Sequence, residues 1–263
     1  MVKVSRVKIG LSTLFCLGEP FSIMIKRLRK VDVSYVEIVD DGLHALNHKR
    51  VKILKKLAQS QGFEYTVHAP FADINIASPS RVLRRVMLKQ LEKSIICAHE
   101  LNCQIWVFHP GLKTGLSPFY PREDWEQNLE SVRKLLIFAR EQRVEIAIEN
   151  CPEPYSFLLT NVKDFSRFYS ELNDDVGLTF DIGHANLNHQ IEDFLVRFSN
   201  KTVHMHAHDN RGKNDIHLGI GRGSINWASV MKTIKEIRYD GIVTVESVTH
   251  AEESVQVLKN LLV

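Results

Sequence analysis

Short hydrophobic runs rich in Val and Ile recur along the chain, and longer amphipathic stretches lie between them. We expect eight of these runs to be β-strands, at residues 7–11, 35–39, 64–68, 104–108, 144–149, 177–181, 202–206 and 241–246. Strands that alternate with helix-length segments are typical of repeated βα units and a parallel sheet. The pattern therefore predicts an α/β fold.

Helical periodicity is clearest between the third and fourth predicted strands, where it predicts a helix over residues 80–101. The apolar residues at helical spacing there are Val82, Val86, Leu91, Ile95 and Ala98. Similar patterns predict helices over 122–143 and 251–261. Three residues whose side chains suit an N-cap mark helix starts, namely Ser80, Asn161 and Ser224.

Eight consecutive βα units close most naturally into a (β/α)8 TIM barrel. An open, doubly wound sheet would need a GxGxxG turn after its first strand, and the sequence has none there. The glycine-rich GIGRG at 219–223 follows the seventh predicted strand, which argues against a dinucleotide site. Because such barrels commonly take about 250 residues, the 263-residue chain is expected to form a single domain over 1–263.

The composition is that of a soluble globular protein. Hydrophobic residues make up 44% and charged residues 25% of the chain, which is enough to bury a full core. The 34 basic and 31 acidic residues leave a formal charge of +3, too small for a strong field toward nucleic acid or a membrane. A bound divalent metal would add positive charge locally, so an anionic substrate could still be attracted to its site.

The cysteines and the N-terminus predict a cytoplasmic protein. The four cysteines have no CxxC spacing, which favours a reducing compartment, and they are Cys16, Cys97, Cys103 and Cys151. The N-terminus lacks an apolar run long enough for a secretory signal, and no stretch approaches the length of a membrane span. We therefore expect no membrane partner.

Ligand-type side chains stand where the predicted strands end and loops begin. The nine candidates are His68, His109, Glu149, Asp181, His184, His206, Asp215, His217 and Glu246. In a TIM barrel the carboxyl ends of the strands meet at one mouth, so these side chains should lie together. Mixed nitrogen and oxygen donors suit zinc or manganese rather than calcium. The sequence therefore predicts a metal site at the barrel mouth.

Two arguments favour a metal site over independent structural residues. Six consecutive strands, from the third to the eighth, each end in a ligand-type residue. Burying several carboxylates together without a cation would be costly, because like charges disfavour each other's ionisation. On the seventh strand His204, His206 and His208 alternate and so face the same side. We expect His206 to reach the metal, His208 either to support a metal ligand from behind or to contact the substrate, and His204 to be a hydrogen-bonded core residue.

Six stretches carry a resemblance to known proteins: HAPFADINIASP, FHPG, IEN, DIGHAN, HMHAHDN and NDIHLGIGRGSINW. Through them the chain resembles, over nearly its whole length, the xylose isomerase-like TIM-barrel superfamily. That superfamily joins sugar isomerases and epimerases with the endonuclease IV type of abasic-site nuclease, also called AP endonuclease family 2. The resemblance implies a barrel enzyme with a divalent metal and leaves two activities open.

The endonuclease IV branch implies that the nine candidates hold up to three zinc ions, with Glu149 as a bridging ligand. Such a cluster would activate a hydroxide for in-line attack on a phosphodiester and stabilise the leaving oxygen. DNA is expected as a partner only under this alternative. The loop over 111–122 carries only Lys113 and Arg122 as cations, whereas duplex DNA is bound largely through its phosphates.

The sugar isomerase branch is favoured by the loops. The sequence continues from Glu149 as NCPEPYSFLL, without the glycine-rich loop of the nuclease, and its sixth strand continues as DIGHANL. This branch implies one Mn, Co, Mg or Zn ion, held by Glu149, Asp181, His206 and Glu246. The two glutamates would pass a proton between adjacent carbons of a sugar or sugar phosphate through a metal-stabilised enediolate.

The same resemblance places further residues around the substrate. His68, His184 and His217 would orient hydroxyls or a phosphate, and Glu37 is a weaker candidate contact. Two arginines flank the glycines after the seventh strand and could clamp a phosphate, or else be solvated surface residues, namely Arg211 and Arg222. A third alternative is a metal-binding barrel without catalysis, which would require a closed coordination shell.

Overall fold

In the computed structural model, which describes residues 7–262, eight parallel strands form one closed barrel. They are β1 (Lys8–Ser12), β2 (Tyr35–Val39), β3 (Glu64–His68), β4 (Trp106–Phe108), β5 (Ile146–Glu149), β6 (Gly177–Asp181), β7 (Thr202–Ala207) and β8 (Ile242–Val245). β1 pairs with both β2 and β8, which closes the sheet. The predicted (β/α)8 barrel is confirmed. Residues 1–6 and 263 of the expected domain lie outside the described part of the chain.

All eight predicted strands form; β2, β3 and β6 have the predicted ends, and the ends of the others differ by at most two residues. β4 and β5 begin two residues later than predicted. Val144 still completes the helical turn before β5, because its backbone N–H donates to the carbonyl of Ala139, whereas the backbone N–H of Gln104, just before β4, already donates to Tyr65 on β3. β8 ends at Val245, so Glu246 is the first residue after its strand.

Helices surround the barrel between these strands. Within residues 7–262 they are α1 (Phe21–Leu28), α2 (His48–Gln61), α3 (Arg81–Leu101), α4 (Glu123–Gln142), α5 (Val162–Leu172), α6 (Ile182–Leu187), α7 (Ile191–Arg197), α8 (Trp227–Glu236) and α9 (Ala251–Leu262). The predicted N-caps Ser80 and Asn161 are confirmed. Ser224 was the wrong cap for α8: its hydroxyl donates to the carbonyl of Asn210, and Asn226 caps the helix instead.

The strands alternate between an apolar outer face and a polar inner face. On β2, Val36 and Ile38 belong to the hydrophobic core, whereas Glu37 reaches across the barrel to β7. On β7, Met205 is part of the same core, while His204 lies inside the barrel against Glu37. Because side chains alternate along a strand, the ligand-type residues share the inner face.

The helices within residues 7–262 include none with the length and hydropathy of a membrane span.

Candidate active site

The ends of the last four strands bring four fully or almost fully buried residues together. This group, called the deep tetrad below, consists of Glu149, Asp181, His206 and Glu246. Each offers one ligand atom, and these atoms lie within 4.8 Å of one another. The Nδ1 atom of His206 lies at the centre, 3.1 Å from Glu149 Oε1, 3.4 Å from Glu246 Oε2 and 3.9 Å from Asp181 Oδ2.

Asp181 is oriented by the start of α6, which it caps. Its Oδ1 atom accepts a hydrogen bond of 2.7 Å from the backbone N–H of His184. Asn150 ties the ends of β5 and β6 together, because its side chain accepts from the Asp181 N–H at 2.7 Å and donates to the Asp181 carbonyl at 2.9 Å. The carboxylate is therefore fixed by the backbone on one side, and its Oδ2 atom faces the tetrad.

Two histidines approach Glu149 from β3 and β4. The Nε2 atoms of His68 and His109 lie 3.3 Å and 3.1 Å from Glu149 Oε2. The Nδ1 atom of His68 lies 2.9 Å from the backbone carbonyl of Ala69. Because a carbonyl only accepts, that nitrogen carries the proton, and a neutral His68 ring presents a lone pair at Nε2.

A second group lies nearer the opening of the barrel. This rim triad consists of His184 at the start of α6 and of Asp215 and His217 in the loop before α8. Asp215 Oδ2 lies 3.3 Å from the Nε2 atoms of both histidines. Each histidine donates from Nδ1 to a backbone carbonyl, His184 to Asn150 at 2.8 Å and His217 to Glu246 at 3.0 Å. Both Nε2 atoms are therefore oriented toward the site.

The rim triad depends on a loop that Asp209 organises. The buried carboxylate of Asp209 accepts hydrogen bonds from the N–H groups of Gly221 and Ile225 and from Trp227 Nε1, at 3.0, 3.3 and 3.0 Å. Gly223 fits against it only because it lacks a side chain, since a Cβ there would lie 2.2 Å from Asp209 Oδ1. These contacts hold the two ends of the loop together.

His208 lies between the two groups and is completely buried. Its Nε2 atom is 3.2 Å from Asp181 Oδ1 and 3.6 Å from Asp215 Oδ1, and its ring stacks on His217 with centroids 3.7 Å apart. Gly183 makes room for this ring, because a Cβ at that position would lie 2.2 Å from His208 Cε1. The glycine of the DIGHAN motif is thus a packing requirement of the site.

Several buried polar atoms of the site have ion-pair distances but no hydrogen bond. Glu149 Oε2, Asp181 Oδ2 and Asp215 Oδ1 belong to this set among the described residues. Imidazole nitrogens lie 3.1 Å from Glu149 Oε2, 3.9 Å from Asp181 Oδ2 and 3.6 Å from Asp215 Oδ1 without a hydrogen bond to them. A bound cation would satisfy buried carboxylate oxygens that lie close together without hydrogen bonds.

The carboxyl groups of the deep tetrad differ in acidity. Burial is the largest single influence on Glu149 and opposes its ionisation, but His206, His109 and His68 together outweigh it, and the pKa of the Glu149 carboxyl lies well below its usual range. Burial raises the pKa of Glu246 to about 7 despite its contact with His206, and the charge of Glu149 adds to that rise. Two carboxyl groups with opposite pKa shifts are suited to opposite roles in proton transfer.

A cavity of about 400 Å³ opens above these residues. Its floor includes Glu149, Glu246 and Asp215, and its walls are apolar or aromatic, formed by Leu14, Val39, Phe71, Pro152, Tyr155, Phe157 and Val248. No lysine or arginine is among its lining residues in the described part of the chain. The volume suits a small molecule.

Of the predicted substrate contacts, His68, His184 and His217 line this cavity. Four others do not, namely Glu37, His208, Arg211 and Arg222. Glu37 is completely buried beneath the site, and Arg222 forms an ion pair of 3.0 Å with Glu253 on α9. His204 is buried as expected, although only its Nε2 atom has a hydrogen-bond partner, Glu37 Oε2 at 3.0 Å.

Neither the role of Asn150 nor most of the apolar wall was predicted from the sequence. Asn150 is part of the IEN motif, but a neutral amide after a ligand gives no sign that it will tie two strands together. The wall residues come from separate loops, and only their meeting at the mouth makes them a surface. Phe71 and Tyr155, for example, come from the loops after β3 and β5 and both line the cavity.

Comparison with known proteins gives one matching family and several relatives. The family described as a xylose isomerase-like TIM barrel matches residues 25–261. The uncharacterized protein MJ1311 of Methanocaldococcus jannaschii is 32% identical, over 97% of this chain and 89% of its own length. A D-psicose 3-epimerase of Ruminiclostridium cellulolyticum is 23% identical, over 86% and 78%. A probable endonuclease 4 of Aquifex aeolicus is 26% identical, over 65% of both chains.

Among solved structures, a D-tagatose 3-epimerase-like protein superposes with a TM-score of 0.91 at 31% sequence identity. The alignment covers 97% of this chain and 97% of that one. Both the fold and the order of its elements are therefore shared along nearly the entire barrel.

Proposed function

This chain belongs to the xylose isomerase-like TIM-barrel family, and from that premise we propose that it is a divalent-metal-dependent sugar epimerase. The observation that carries the proposal is the deep tetrad, in which four ligand atoms converge within 4.8 Å of one another and two of the carboxyl groups, those of Glu149 and Glu246, line one small cavity. The relatives whose names give an activity on ketoses, the D-psicose 3-epimerase and the D-tagatose 3-epimerase-like protein, support the same class.

The donor set of the deep tetrad fits a divalent ion. Three carboxylates and one imidazole suit Mn, Co, Mg or Zn, and their atoms already converge within 4.8 Å. Glu149 Oε2 and Asp181 Oδ2 are buried without hydrogen bonds, which an ion would relieve. When bound, the ion would polarise the carbonyl and hydroxyl oxygens of a ketose and so make the neighbouring C–H more acidic.

We propose that Glu149 and Glu246 move the proton. The two residues come from β5 and β8, and both line the cavity, so a small sugar can lie between their carboxyl groups. One removes a proton from the carbon beside the carbonyl, and the other delivers a proton to the opposite face, which inverts that carbon. The same pair could pass a proton between adjacent carbons in an isomerisation, the form expected from sequence.

The cavity favours an uncharged sugar over a sugar phosphate. Its lining contains three carboxylates and, within residues 7–262, no lysine or arginine, so apart from the histidines and the ion a phosphate group would find no cationic partner there. Arg211 and Arg222, the clamp proposed from sequence, are not among the lining residues. The histidines of the rim triad instead offer hydrogen bonds to neutral hydroxyls.

The proposal is tested by metal replacement and hydrogen exchange. Chelated protein is reloaded separately with Mn²⁺, Co²⁺, Mg²⁺ or Zn²⁺ and incubated in D₂O with a panel of ketoses and their phosphates. We expect one ion per chain and deuterium at the carbon beside the carbonyl of an unphosphorylated ketose, followed by its epimer. Protein that binds the ion but exchanges no sugar proton would contradict the assignment.

A zinc-dependent phosphodiesterase is the second candidate, and one observation favours it. His68, His109 and Glu149 form a further donor group, and the rim triad with His208 forms another, so three groups surround the cavity. About three zinc ions per chain and cleavage of DNA at an abasic site would establish this activity. The small cavity, and the absence of lysine and arginine from its lining within residues 7–262, favour the epimerase.

A further inference from the structure

Glu37 lies directly beneath the deep tetrad and contacts its only histidine. The residue is on β2 and is completely buried. Its Oε1 and Oε2 atoms lie 3.1 Å and 3.3 Å from His206 Nε2, on the opposite side of the ring from the nitrogen that faces Glu149 and Glu246. The His206 ring is therefore held between a carboxylate below and the tetrad carboxylates above.

Two further donors fix the position of this carboxylate. Thr66 Oγ1 on β3 donates to Glu37 Oε2 at 3.1 Å, and His204 Nε2 contacts the same oxygen at 3.0 Å. These contacts tie β2, β3 and β7 together inside the barrel. A buried charge is costly, so a carboxylate that was needed only to fill space would be replaced by an apolar side chain at little cost. The position of Glu37 beneath His206 therefore indicates a role toward that ligand.

We propose that Glu37 is a positioning residue that selects the metal-binding nitrogen of His206. Both ring nitrogens of His206 face carboxylates, Nδ1 that of Glu149 at 3.1 Å and Nε2 that of Glu37 at 3.3 Å. With an ion at the deep tetrad, the Nδ1 lone pair would be given to the ion, and the ring proton would lie on Nε2, where the Glu37 carboxylate accepts it. The negative charge also makes the imidazole a stronger donor. Glu37 is not among the residues that line the cavity. This inference rests on the metal site proposed above and assigns Glu37 a different role from the substrate contact expected from sequence.

A second ion bound by Glu37, His204 and His206 is a weaker interpretation of the same geometry. The three residues form a compact donor group. However, His204 Nε2 and His206 Nε2 both contact Glu37 Oε2 with hydrogen-bond geometry. The N–H protons of these two contacts would occupy the position that an ion needs. A direct hydrogen-bond network accounts for the contacts of Glu37 Oε2, while Oε1 lies 3.1 Å from His206 Nε2 without a hydrogen bond.

The test compares Co²⁺ binding to the wild-type chain and to Glu37→Gln by calorimetry and by the visible spectrum of the bound ion. The glutamine keeps the shape of the side chain but removes its charge. We expect Co²⁺ affinity to fall by about 10- to 100-fold, with a changed spectrum. Thr179→Val is the matched control, because Thr179 is equally buried inside the barrel and its hydroxyl has no hydrogen-bond partner. Its affinity and spectrum should match the wild type.

The outcomes separate this inference from the proposed function. Wild-type protein that binds no ion at the tetrad would overturn both. Equal Co²⁺ affinity and equal spectra in wild type and Glu37→Gln would overturn only the role of Glu37, as would two ions per wild-type chain with one lost in the variant. A third measurement does not require a folded variant: ¹⁵N NMR of the zinc-loaded wild type should show His206 protonated at Nε2, and protonation at Nδ1 would refute the inference.

Discussion

The deep tetrad and the rim triad use the same residue types but are held in different ways. The tetrad side chains leave the strands of the barrel, or, for Glu246, the residue directly after a strand. The histidines of the rim triad are oriented by backbone carbonyls, and Asp215 and His217 belong to a loop. Positions on paired strands are set by the sheet, whereas loop positions depend on local hydrogen bonds.

This difference suggests a division of labour. The tetrad carries the buried charge and faces Glu37 beneath it, so it suits a fixed ion and proton transfer. The triad is nearer solvent, with side chains of Asp215 and His217 that are 14% and 16% exposed. Its members can meet hydroxyls that differ from one sugar to another. Changes in the tetrad should therefore affect chemistry, and changes around the triad should affect stability and substrate binding.

The largest expected effect comes from Glu246→Gln in the deep tetrad. The amide keeps an oxygen for the ion but can neither accept nor deliver a proton at neutral pH. We expect turnover to fall by about 10²- to 10⁴-fold, while most of the metal stays bound. The measurement is deuterium exchange into the ketose together with elemental analysis. Glu236→Gln, an exposed residue of α8, is the control and should behave as wild type. Full activity in Glu246→Gln would refute the two-carboxylate mechanism.

An intermediate effect is expected from Asp209→Asn beneath the rim triad. An amide can replace only one carboxylate oxygen as acceptor, so either the pair of donors on Oδ1 or the pair on Oδ2 loses its partner. The free energy of unfolding should fall by about 1–3 kcal/mol, measured by chemical denaturation, and KM should rise more than kcat falls. Asp240→Asn, at an exposed site, should change stability by less than about 0.5 kcal/mol. Unchanged stability and KM in Asp209→Asn would show that the loop is held by other contacts.

The contrast between tetrad and triad also explains what the sequence could predict. The hydrophobic runs predict the strands, and ligand-type residues at their ends predict the residues that meet, because a parallel barrel directs all carboxyl ends to one mouth. Glu149, Asp181 and His206 are at the strand ends expected of them. Their joint position follows from the fold alone.

Contacts set by loops and by packing across the barrel were not predictable. Glu37 and His206 are on different strands, far apart in sequence, and no local pattern shows that their side chains meet. Arg222 is beside the glycines of the loop, but its guanidinium forms an ion pair with Glu253 on α9 instead of facing the mouth. The apolar wall likewise depends on how several loops fold over the cavity. Such contacts depend on barrel geometry rather than on the residues next to each position.

The smallest expected effect distinguishes the two candidate functions. His109 contacts Glu149 Oε2 at 3.1 Å but lies outside the deep tetrad, and its side chain is 20% exposed. In an epimerase with one ion, His109→Ala removes a neighbour of a ligand, so kcat/KM should fall by no more than about tenfold, or about 1.4 kcal/mol, with metal content unchanged. The exposed His48, paired with Glu100, provides the control His48→Ala.

In a trinuclear phosphodiesterase, His109→Ala removes a ligand, so one zinc ion and nearly all cleavage of abasic DNA should be lost. Loss of an ion from His109→Ala would therefore contradict the single-ion epimerase, because the tetrad alone would not hold all of the metal.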